Sequence, residues 1–476
     1  MEPGPIIAPP RPQPPQSAKP KDSGMTNTVT HSSRTSGLPA SADMEALIQQ
    51  ALDTARTLGA TGAEAGLAFD LGLSVNVRKG EVDTLEHHRD RGLSVTVYFG
   101  QRKGSANTAD FRPESIRETV QAACDIARYT SEDPAHGLAD PELMPRQVPE
   151  LDLEHPWALN PEEAIDLARR CEAAGLAEKG ITNSEGAGVA THHTLRVYGN
   201  SHGFLGHYAG TRHSMNCVMV AGEGDHMQRD YWYTVDRVPE ALERAEDVGR
   251  EAARRTLARM GARQLGTRRV PVLFAPPMAR GLIGHFIGAI RGGALYRKAS
   301  FLLDQLGQPV FPDFVQMREE PHRPRGLGSV PFDHEGVATR ERTLVRDGVL
   351  QGYVLDSYSA RRLGMQTTGN AGGVHNLVVE PGPDDQAALL KRMGTGLLVT
   401  EMMGQGVNPV TGDYSRGATG FWVEDGEIAH PVQEITVAGN LREMYAGLTA
   451  VGCDVDRRGN IHTGSLLVDA MTVAGE

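Results

Sequence analysis

The sequence is poor in cysteine, in aromatic residues and in long apolar runs. It has only 4 Cys, at positions 124, 171, 217 and 453, and no two of them form a CxxC pair. Neither a disulfide framework nor a Cys-type zinc site is therefore indicated, and we expect free, mostly buried thiols in a reducing cytosol. No apolar run approaches the roughly 18 residues that a membrane-crossing helix needs, so we expect a cytoplasmic protein with no membrane partner.

Basic charge is also scarce. Against 60 Asp and Glu stand 48 Lys and Arg, which gives a formal net charge of −12. Such a balance repels phosphate backbones and anionic lipids, and the sequence has no basic stripe, so nucleic acid is disfavoured as a partner. The hydrophobic share of 39% is that of a globular protein, and 476 residues exceed what one core usually serves, so we expect two or three domains.

The N-terminal residues 1–42 are rich in Pro and then in Ser and Thr, and they lack the apolar segment of a secretion signal. We expect a disordered extension here, in which Met25 offers an alternative start of translation.

Two similar units follow, at residues 43–132 and 157–262, and each pattern predicts a helix, strands and a second helix. A Pro-containing segment without periodicity, typical of a linker, separates them at 133–156. Either the two units are related or they jointly form one lobe. In the first unit we predict a helix from an Asp43 cap to Gly59, strands at 71–77 and 93–99 joined by a Lys79-Gly80 turn, and a helix after Pro113. In the second we predict a capping box at Asn160 and Glu163, a helix reaching Gly180, strands around 191–198, 204–220 and 227–235, and a helix over 239–260.

Short apolar runs broken by Gly and Pro fill residues 268–476, which predicts a sheet-rich C-terminal domain with long functional loops. The expected fold class is therefore α+β, with N-terminal helix–strands–helix lobes ahead of a β-sheet-rich C-terminal domain.

Two patterns in the second unit suggest catalysis but favour another interpretation. Residues 199–203 match the G-x-S-x-G pattern of hydrolase nucleophiles, which needs a strand feeding a helix. Strands are predicted on both sides, so a hairpin turn is favoured. Several His are concentrated nearby without a metal-binding spacing, so we favour a half-exposed hairpin over a metal site. These are His192, His193, His202, His207 and His213.

Two patterns in the C-terminal domain are equally ambiguous. His334-Glu335 is the only His-Glu step, but Ala338 and Thr339 stand where a zinc peptidase of the helical-motif type would carry its second His. Residues 369–373, Gly-Asn-Ala-Gly-Gly, could cradle an anion, but no Lys-Ser/Thr follows as in a P-loop. A loop that needs positive φ angles is the favoured interpretation.

Residues 281–301 read as a metalloprotease helix from which the metal ligands are missing. Such a helix needs two His on one face and a Glu beside the first, whereas this stretch has one His, His285, followed by Phe286. Its glycines weaken an isolated helix by about 1 kcal/mol each relative to Ala, which suggests close packing against another backbone, or a partner interface. These glycines are Gly281, Gly284, Gly288, Gly292 and Gly293.

Four blocks together resemble the TldD/PmbA family of metallopeptidase-related proteins, specifically its PmbA (TldE) branch. The first reads Gly-Gly-Ala-Leu-Tyr-Arg-Lys-Ala-Ser-Phe from Gly292, and the second Thr-Gly-Asn-Ala from Thr368. The third spans 411–428 and runs into Val-Ala-Gly-Asn at 437–440, and the fourth spans 464–475. Their order and spacing fit the chain from about Met44 to its end.

The resemblance implies that in the TldD branch a His-Glu-x-x-x-His helix and a later Cys bind zinc. It also implies that a TldD-type and a PmbA-type subunit together degrade unfolded peptides or trim peptide precursors. On this sequence the first His, the Glu and the second His fall at Gly284, His285 and Ala289. A shift by one residue makes His285 the first ligand but puts Phe286 and Ile290 in the other two positions. Cys453 lies near the family's Cys ligand, yet a lone thiolate does not hold catalytic zinc.

The resemblance therefore predicts a subunit without its own zinc site or other cofactor, which closes the chamber of a TldD-type catalytic partner and helps to grip unfolded peptides, by backbone pairing in the C-terminal domain. Two alternatives stay open, an autonomous metallopeptidase with scattered His ligands and a non-enzymatic peptide-binding or regulatory module. Four residues are candidates for substrate or interface contacts because they lie in these four blocks: Tyr296, Arg297, Asn370 and Ser415.

Overall fold

The computed structural model describes residues 37–475. Most of the predicted N-terminal extension, up to residue 36, lies outside the described residues. The helices are α1 (Ser41–Thr57), α2 (Pro113–Tyr129), α3 (Pro161–Leu176), α4 (Ala245–Ala258), α5 (Pro276–Ala289), α6 (Gly292–Tyr296), α7 (Ser357–Arg362), α8 (Gln386–Met393) and α9 (Leu441–Ala446).

The strands differ widely in length, from the long hairpins of the N-terminal half to two-residue strands in the C-terminal half. They are β1 (Gly62–Arg78), β2 (Glu81–Phe99), β3 (Arg102–Thr108), β4 (Ile181–Asn200), β5 (Leu205–Ala221), β6 (Gln228–Asp236), β7 (Arg268–Phe274), β8 (Met317–Glu319), β9 (Arg342–Arg346), β10 (Val349–Leu350), β11 (Leu377–Val379), β12 (Gly396–Met403), β13 (Asp413–Glu424), β14 (Glu427–Asn440), β15 (Leu448–Val451), β16 (Ile461–His462) and β17 (Leu466–Ala474).

The two N-terminal units share one antiparallel sheet in the order β3-β2-β1-β4-β5-β6. The units meet where β1 pairs with β4 along residues 64–77. Of the two arrangements left open by the sequence, the structure therefore has the single lobe.

One face of this sheet carries all four long N-terminal helices. Helices α1 and α2 cover one part of it, with Ile48 and Val120 fully buried, and α3 and α4 cover the other, with Ala168 and Val248 fully buried. Because side chains alternate along a strand, the opposite face of β4 and β5 is left to meet the C-terminal half.

The C-terminal half contains a closed barrel. Strands pair around the ring in the order β14-β13-β12-β7-β17, and β17 pairs with β14 to close it. Strand β15 lies outside the ring against β17, and a second, five-stranded sheet has the order β10-β9-β8-β11-β16. The predicted α+β class, with a sheet-rich C-terminal domain after the helix–strands–helix lobe, is confirmed.

Several predicted element boundaries need correction. Helix α1 begins at Ser41, so Asp43 lies in its first turn and is not the cap. Helix α3 ends at Leu176, four residues short of Gly180, and the predicted helix over 239–260 contains only α4, preceded by a short 3-10 turn at Pro239–Ala241. The capping box of α3 is confirmed, since the Asn160 side chain accepts from the Glu163 backbone N–H and the Glu163 carboxylate accepts from that of Asn160.

Within residues 37–475, no helix combines the length and the apolar character that crossing a membrane requires.

Candidate functional site

Helix α5 follows directly from the barrel. Strand β7 ends at Phe274, which is 1% exposed, and two prolines, Pro276 and Pro277, occupy the first turn of the helix. Proline suits this position because the first N–H groups of a helix have no partner within it. The sequence thus leads a buried barrel strand directly into the helix on which the resemblance places the metal-motif positions.

The inner face of α5 is held by aromatic packing. Phe286 is fully buried, and its ring centroid lies 5.0 Å from that of Phe311 and 6.1 Å from that of Tyr445. The Tyr445 hydroxyl donates to the Leu282 carbonyl at 2.9 Å. Where a shifted register of the motif would require a general base, this chain therefore has a core phenyl ring.

The outer face of α5 is made of glycine. A Cβ atom built on Gly281, Gly284 or Gly288 would meet no atom within 4 Å. The expectation that these three glycines pack closely against another backbone is therefore wrong for contacts within the described residues. Gly292 is tightly packed, but its neighbour is a side chain, because an added Cβ would lie 2.1 Å from the Ser359 hydroxyl.

His285 lies beside this glycine face. Its ring makes an edge contact with Tyr414 at 6.0 Å between centroids, and its buried Nε2 has no hydrogen-bond partner among the described residues. Burial, with a smaller contribution from the nearby Arg416 guanidinium, lowers the pKa of His285 below its ordinary value. Burial also raises the pKa of Tyr414 to about 12. We therefore describe His285 as a neutral imidazole in an apolar setting.

The residues at the motif positions do not fit a zinc ion. Gly284 and Ala289 have no donor atom, and the shifted register adds only the buried side chains of Phe286 and Ile290. Cys453 is exposed on a loop, where its backbone N–H donates to the backbone carbonyl of Asp384. In the described part of the chain, no three His, Cys, Asp or Glu side chains lie close enough together to hold a metal. Zinc needs three such ligands and an open position for water.

Tyr296 and Arg297 form a small exposed stack at the end of α6. The Arg297 guanidinium donates to the Tyr296 hydroxyl at 3.0 Å and lies 5.2 Å from its ring centroid. Tyr358 and Arg362 of α7 complete the stack, at 5.7 Å and 5.3 Å from the same ring. The sequence does not identify Tyr358 and Arg362 as partners of Tyr296. Their spacing of four residues would place them on one helical face, but it does not say which ring they meet.

Asn370 is buried and its amide is fully engaged within the chain. Its Nδ2 donates to the Glu319 carboxylate at 3.0 Å and to the Gly373 carbonyl at 2.9 Å, and its Oδ1 accepts from the Thr368 hydroxyl at 2.7 Å. Glu319 is 2% exposed and also pairs with Arg342 at 2.5 Å. Asn370 therefore holds a buried ion pair in place.

Ser415 faces outward from β13 between Tyr414 and Arg416. Its backbone N–H donates to Gly406 at 2.7 Å, so the loop between β12 and β13 lies along it. The structure thus brings Tyr296 and Arg297 together, whereas Ser415 projects from the face of β13 opposite to Tyr414, the residue that contacts His285. Asn370 belongs to a different, buried network.

The alternative catalytic patterns have structural explanations. Residues 201–203 turn from β4 into β5, and the Ser201 hydroxyl accepts from the Ala63 N–H at 3.0 Å, so the hairpin turn is confirmed. Three of the five hairpin histidines each contact a different carboxylate and a fourth, His213, is buried against Thr191, so the hairpin interpretation is confirmed as well. The carboxylates are Asp70 for His192, Glu154 for His193 and Glu45 for His207.

Loop 369–373 has positive φ angles at its three glycines, 73° at Gly369, 113° at Gly372 and 126° at Gly373, as predicted. Glu335, next to His334, is half-buried and accepts from the Ser357 N–H at 2.8 Å, and desolvation of its carboxylate raises its pKa. The His-Glu step is thus part of the packing between loops.

Family models match most of the chain. A model for the PmbA/TldA metallopeptidase domain 1 matches residues 63–127, one for the central domain matches 154–260, and one for the C-terminal domain matches 267–475. The metalloprotease PmbA of Escherichia coli O157:H7 is 50% identical over 434 residues, which cover 90% of this chain and 96% of that protein.

Solved structures share the fold. A Bacteroides thetaiotaomicron protein, whose name links it to DNA gyrase modulation, superposes with a TM-score of 0.86 at 29% identity, covering 91% of this chain and 99% of that one. TldE from Thermococcus kodakarensis superposes with a TM-score of 0.76 at 20% identity, covering 91% of this chain and all of that one. Because the family models match most of the chain and PmbA of Escherichia coli O157:H7 is 50% identical to it, the chain belongs to the PmbA/TldD metallopeptidase family, in its PmbA branch.

Proposed function

We propose that this chain is the PmbA/TldE-type subunit of a two-subunit cytoplasmic metalloprotease that degrades or trims unfolded peptides. In this proposal the zinc ion and the general base belong to a TldD-type catalytic partner, and this chain closes the chamber around them.

The proposal is supported chiefly by the residues of α5 at the motif positions, which cannot form a zinc site. The helix keeps its place beside the barrel, but Gly284, His285 and Ala289 stand at the motif positions. A peptidase of this type needs three zinc ligands and a base that takes the proton of the attacking water. His285 alone supplies neither the three zinc ligands nor the general base. The open space over Gly281, Gly284 and Gly288 leaves room for another chain.

An extended peptide would be gripped by backbone pairing, which recognises length more than side chains. The ring of the C-terminal barrel is closed, so it offers a peptide no free edge of its own. A free edge lies instead in the N-terminal lobe, because β3 pairs only with residues 93–99 of β2 and leaves 81–92 unpaired on that side in the described structure. We infer that this edge, as well as the C-terminal loops, is available to a peptide.

The test measures zinc content and hydrolysis of an unstructured peptide by the chain alone and after co-purification with a TldD-type subunit. We expect no stoichiometric zinc and no cleavage by the lone chain, and zinc-dependent cleavage by the pair. A His285→Phe variant is the matched control: because His285 is not a ligand in this proposal, the pair that carries it should cleave at the wild-type rate.

Other outcomes would replace the proposal. Stoichiometric zinc and cleavage by the lone chain would make it an autonomous metallopeptidase. Peptide binding without cleavage, even with the TldD-type chain present, would make it a binding or regulatory module.

A further inference from the structure

A deep cationic pocket lies between the N-terminal sheet and the loops of the C-terminal half. Its volume is about 620 Å³, within the range of small-molecule sites. Strands β4 and β5 form its floor, and loops at 327–330, 372–375 and 458–460 form its walls. Five arginines and no acidic residue line it, and we call it the arginine pocket. The arginines are Arg196, Arg212, Arg237, Arg280 and Arg458.

Three of these arginines form a row along the floor. Arg196 lies opposite Tyr208 and Arg212 opposite His192, so the two arginines project from the same face, with the Thr194–Gly210 pair between them. Four strand residues separate the two ends of the row, about 13 Å at the usual rise. Arg237 reaches the middle, since an added Cβ on Gly210 would lie 2.9 Å from its guanidinium.

The charge of this row is not neutralised by the protein. Arg196 and Arg212 are exposed and form no ion pair with any described residue. The Arg237 guanidinium donates only to the carbonyls of Gly326, Thr211 and Leu327. Burial lowers the pKa of Arg237, which means that its charge is held in a poorly solvated position.

The other two arginines share one carboxylate partner. Both Arg280 and Arg458 pair with Asp456, at 3.8 Å and 2.9 Å. Arg458 also stacks on Trp232 and Tyr233, at 4.1 Å and 4.6 Å from the ring centroids. Most of the unmatched positive charge of the pocket therefore lies on the Arg196–Arg237–Arg212 row, in a chain whose net charge is −12.

The chemistry of the row selects its ligand. Every cation that lines the pocket is Arg and none is Lys, and the planar guanidinium fits the paired oxygens of phosphate groups better than a point charge does. Because the backbone positions of Arg196 and Arg212 are offset by about 13 Å, their long side chains approach a ligand from opposite ends, and each can engage a separate phosphate group. We propose that the arginine pocket binds a small molecule that carries two or more phosphate groups, such as a free pyrophosphate or a nucleoside diphosphate. This site is independent of the proposed peptidase function.

Calorimetric titration of the purified full chain tests the proposal, with pyrophosphate, ADP, inorganic phosphate and a glutamate-rich peptide as probes. We expect pyrophosphate and ADP to bind at least tenfold more tightly than inorganic phosphate, with affinities that fall as salt rises. Tighter binding of ADP than of pyrophosphate would identify the ligand as a nucleotide whose base stacks on Tyr208 or Tyr233. Equal binding would identify the phosphate groups alone as the recognised part.

The matched variants are the Arg196→Gln/Arg212→Gln double substitution and Arg117→Gln. All three side chains are exposed and have no ion pair in the described structure, so none of the substitutions should unfold the chain. The double variant should lose at least tenfold in pyrophosphate affinity, whereas Arg117→Gln on α2 should keep the wild-type value. No binding of either phosphate compound, equal binding by the double variant, or tighter binding of the acidic peptide would each overturn the proposal.

Discussion

At the scale of single residues, His285 is a half-buried imidazole whose pKa is lowered mainly by burial and, to a smaller extent, by the Arg416 guanidinium. Because burial lowers its pKa, the unfolded chain takes up a proton at this side chain at a higher pH than the folded chain does. The contribution of His285 is therefore favourable above the ordinary His pKa of 6.5 and is lost as the pH falls below it.

We predict that His285→Phe reduces the loss of stability on acidification. Phenylalanine keeps the edge contact with Tyr414 and does not titrate. The fall in the free energy of unfolding between pH 7 and pH 5.5 should shrink by at most ~1 kcal/mol, since one pH unit is worth about 1.4 kcal/mol for a fully buried group and His285 is only partly buried. Urea denaturation at both pH values measures it. Ala122→Phe, at an exposed position of α2 without a titratable side chain, serves as the control and should leave the pH dependence unchanged; an equal change in both variants would contradict the prediction.

Asn370 is the candidate site residue whose structural role is best defined. Replacing it by Ala removes two donors from Glu319 and Gly373 and leaves the Thr368 hydroxyl without its acceptor. We expect Asn370→Ala to lower the free energy of unfolding by about 1–3 kcal/mol, because buried polar groups lose their partners. Chemical denaturation of the lone chain provides the measurement.

Ser415→Ala is the natural comparison for Asn370→Ala. Ser415 is exposed, so its removal should change stability by less than about 0.5 kcal/mol. If Asn370→Ala left stability unchanged and instead reduced peptide cleavage by the assembled pair, Asn370 would contact substrate and its structural assignment would be wrong.

At the scale of helices and strands, glycine has opposite meanings in two helices. An added Cβ on Gly249 of α4 would lie 1.9 Å from the Cys171 carbonyl oxygen of α3, so these helices touch through backbone. On α5, Gly284 faces open space. The same residue type thus enables a helix crossing in one element and leaves a bare surface in the other.

We predict that Gly249→Ala destabilises the chain by about 3 kcal/mol, since the neighbouring atom is backbone and the helices must move apart. Gly284→Ala should instead stabilise the lone chain by up to ~1 kcal/mol, because Ala is the better helix former and meets no neighbour. Thermal and urea unfolding of both variants give the comparison. Equal effects of the two substitutions would show that helix propensity, and not the crossing, decides the outcome.

Local signals in the sequence located the four N-terminal helices, although some of their ends needed correction, but not the short helices of the C-terminal half, and they located the strands only in part. The capping box at Asn160 and the turn at Lys79-Gly80 are chemical signals that act over a few residues, and both are found in the structure. Strand β1 is longer than the predicted segment 71–77 because its first half is rich in Ala and Gly, which have weak strand preference. Residues 81–92 of β2 are exposed on both faces, so no alternation marked them.

Long-range pairings could not be read from the sequence. Barrel closure joins β14 to β17, and the arginine row joins Arg196 and Arg212 of one hairpin to Arg237 beyond β6. Neither has a local spacing that identifies it. The candidate site was predictable as a place on α5, because the resemblance fixed the motif positions, whereas the Tyr414 and Arg416 neighbours of His285 come from another strand.

At the scale of the whole molecule, the glycine surface of α5 and the arginine pocket are formed by different elements. The glycine surface consists of Gly281, Gly284 and Gly288 of α5, and the pocket lies between the N-terminal sheet and the C-terminal loops. If α5 meets a TldD-type subunit, the open space above its glycines is filled by that subunit, and side chains added there should block assembly without harming the isolated fold.

We therefore predict that Gly288→Leu weakens association with a TldD-type subunit by at least tenfold and leaves the unfolding transition of the lone chain intact. Ala122→Leu, which adds a similar side chain to an exposed position of α2, is the matched control and should associate normally. Sedimentation velocity of mixtures over a range of concentrations gives both affinities. Because a Cβ at position 288 meets no neighbouring atom within 4 Å, an intact unfolding transition of the lone variant would assign a loss of association to the interface. If Gly288→Leu associated as tightly as the wild type, the partner would bind another surface, and α5 would not be part of the interface.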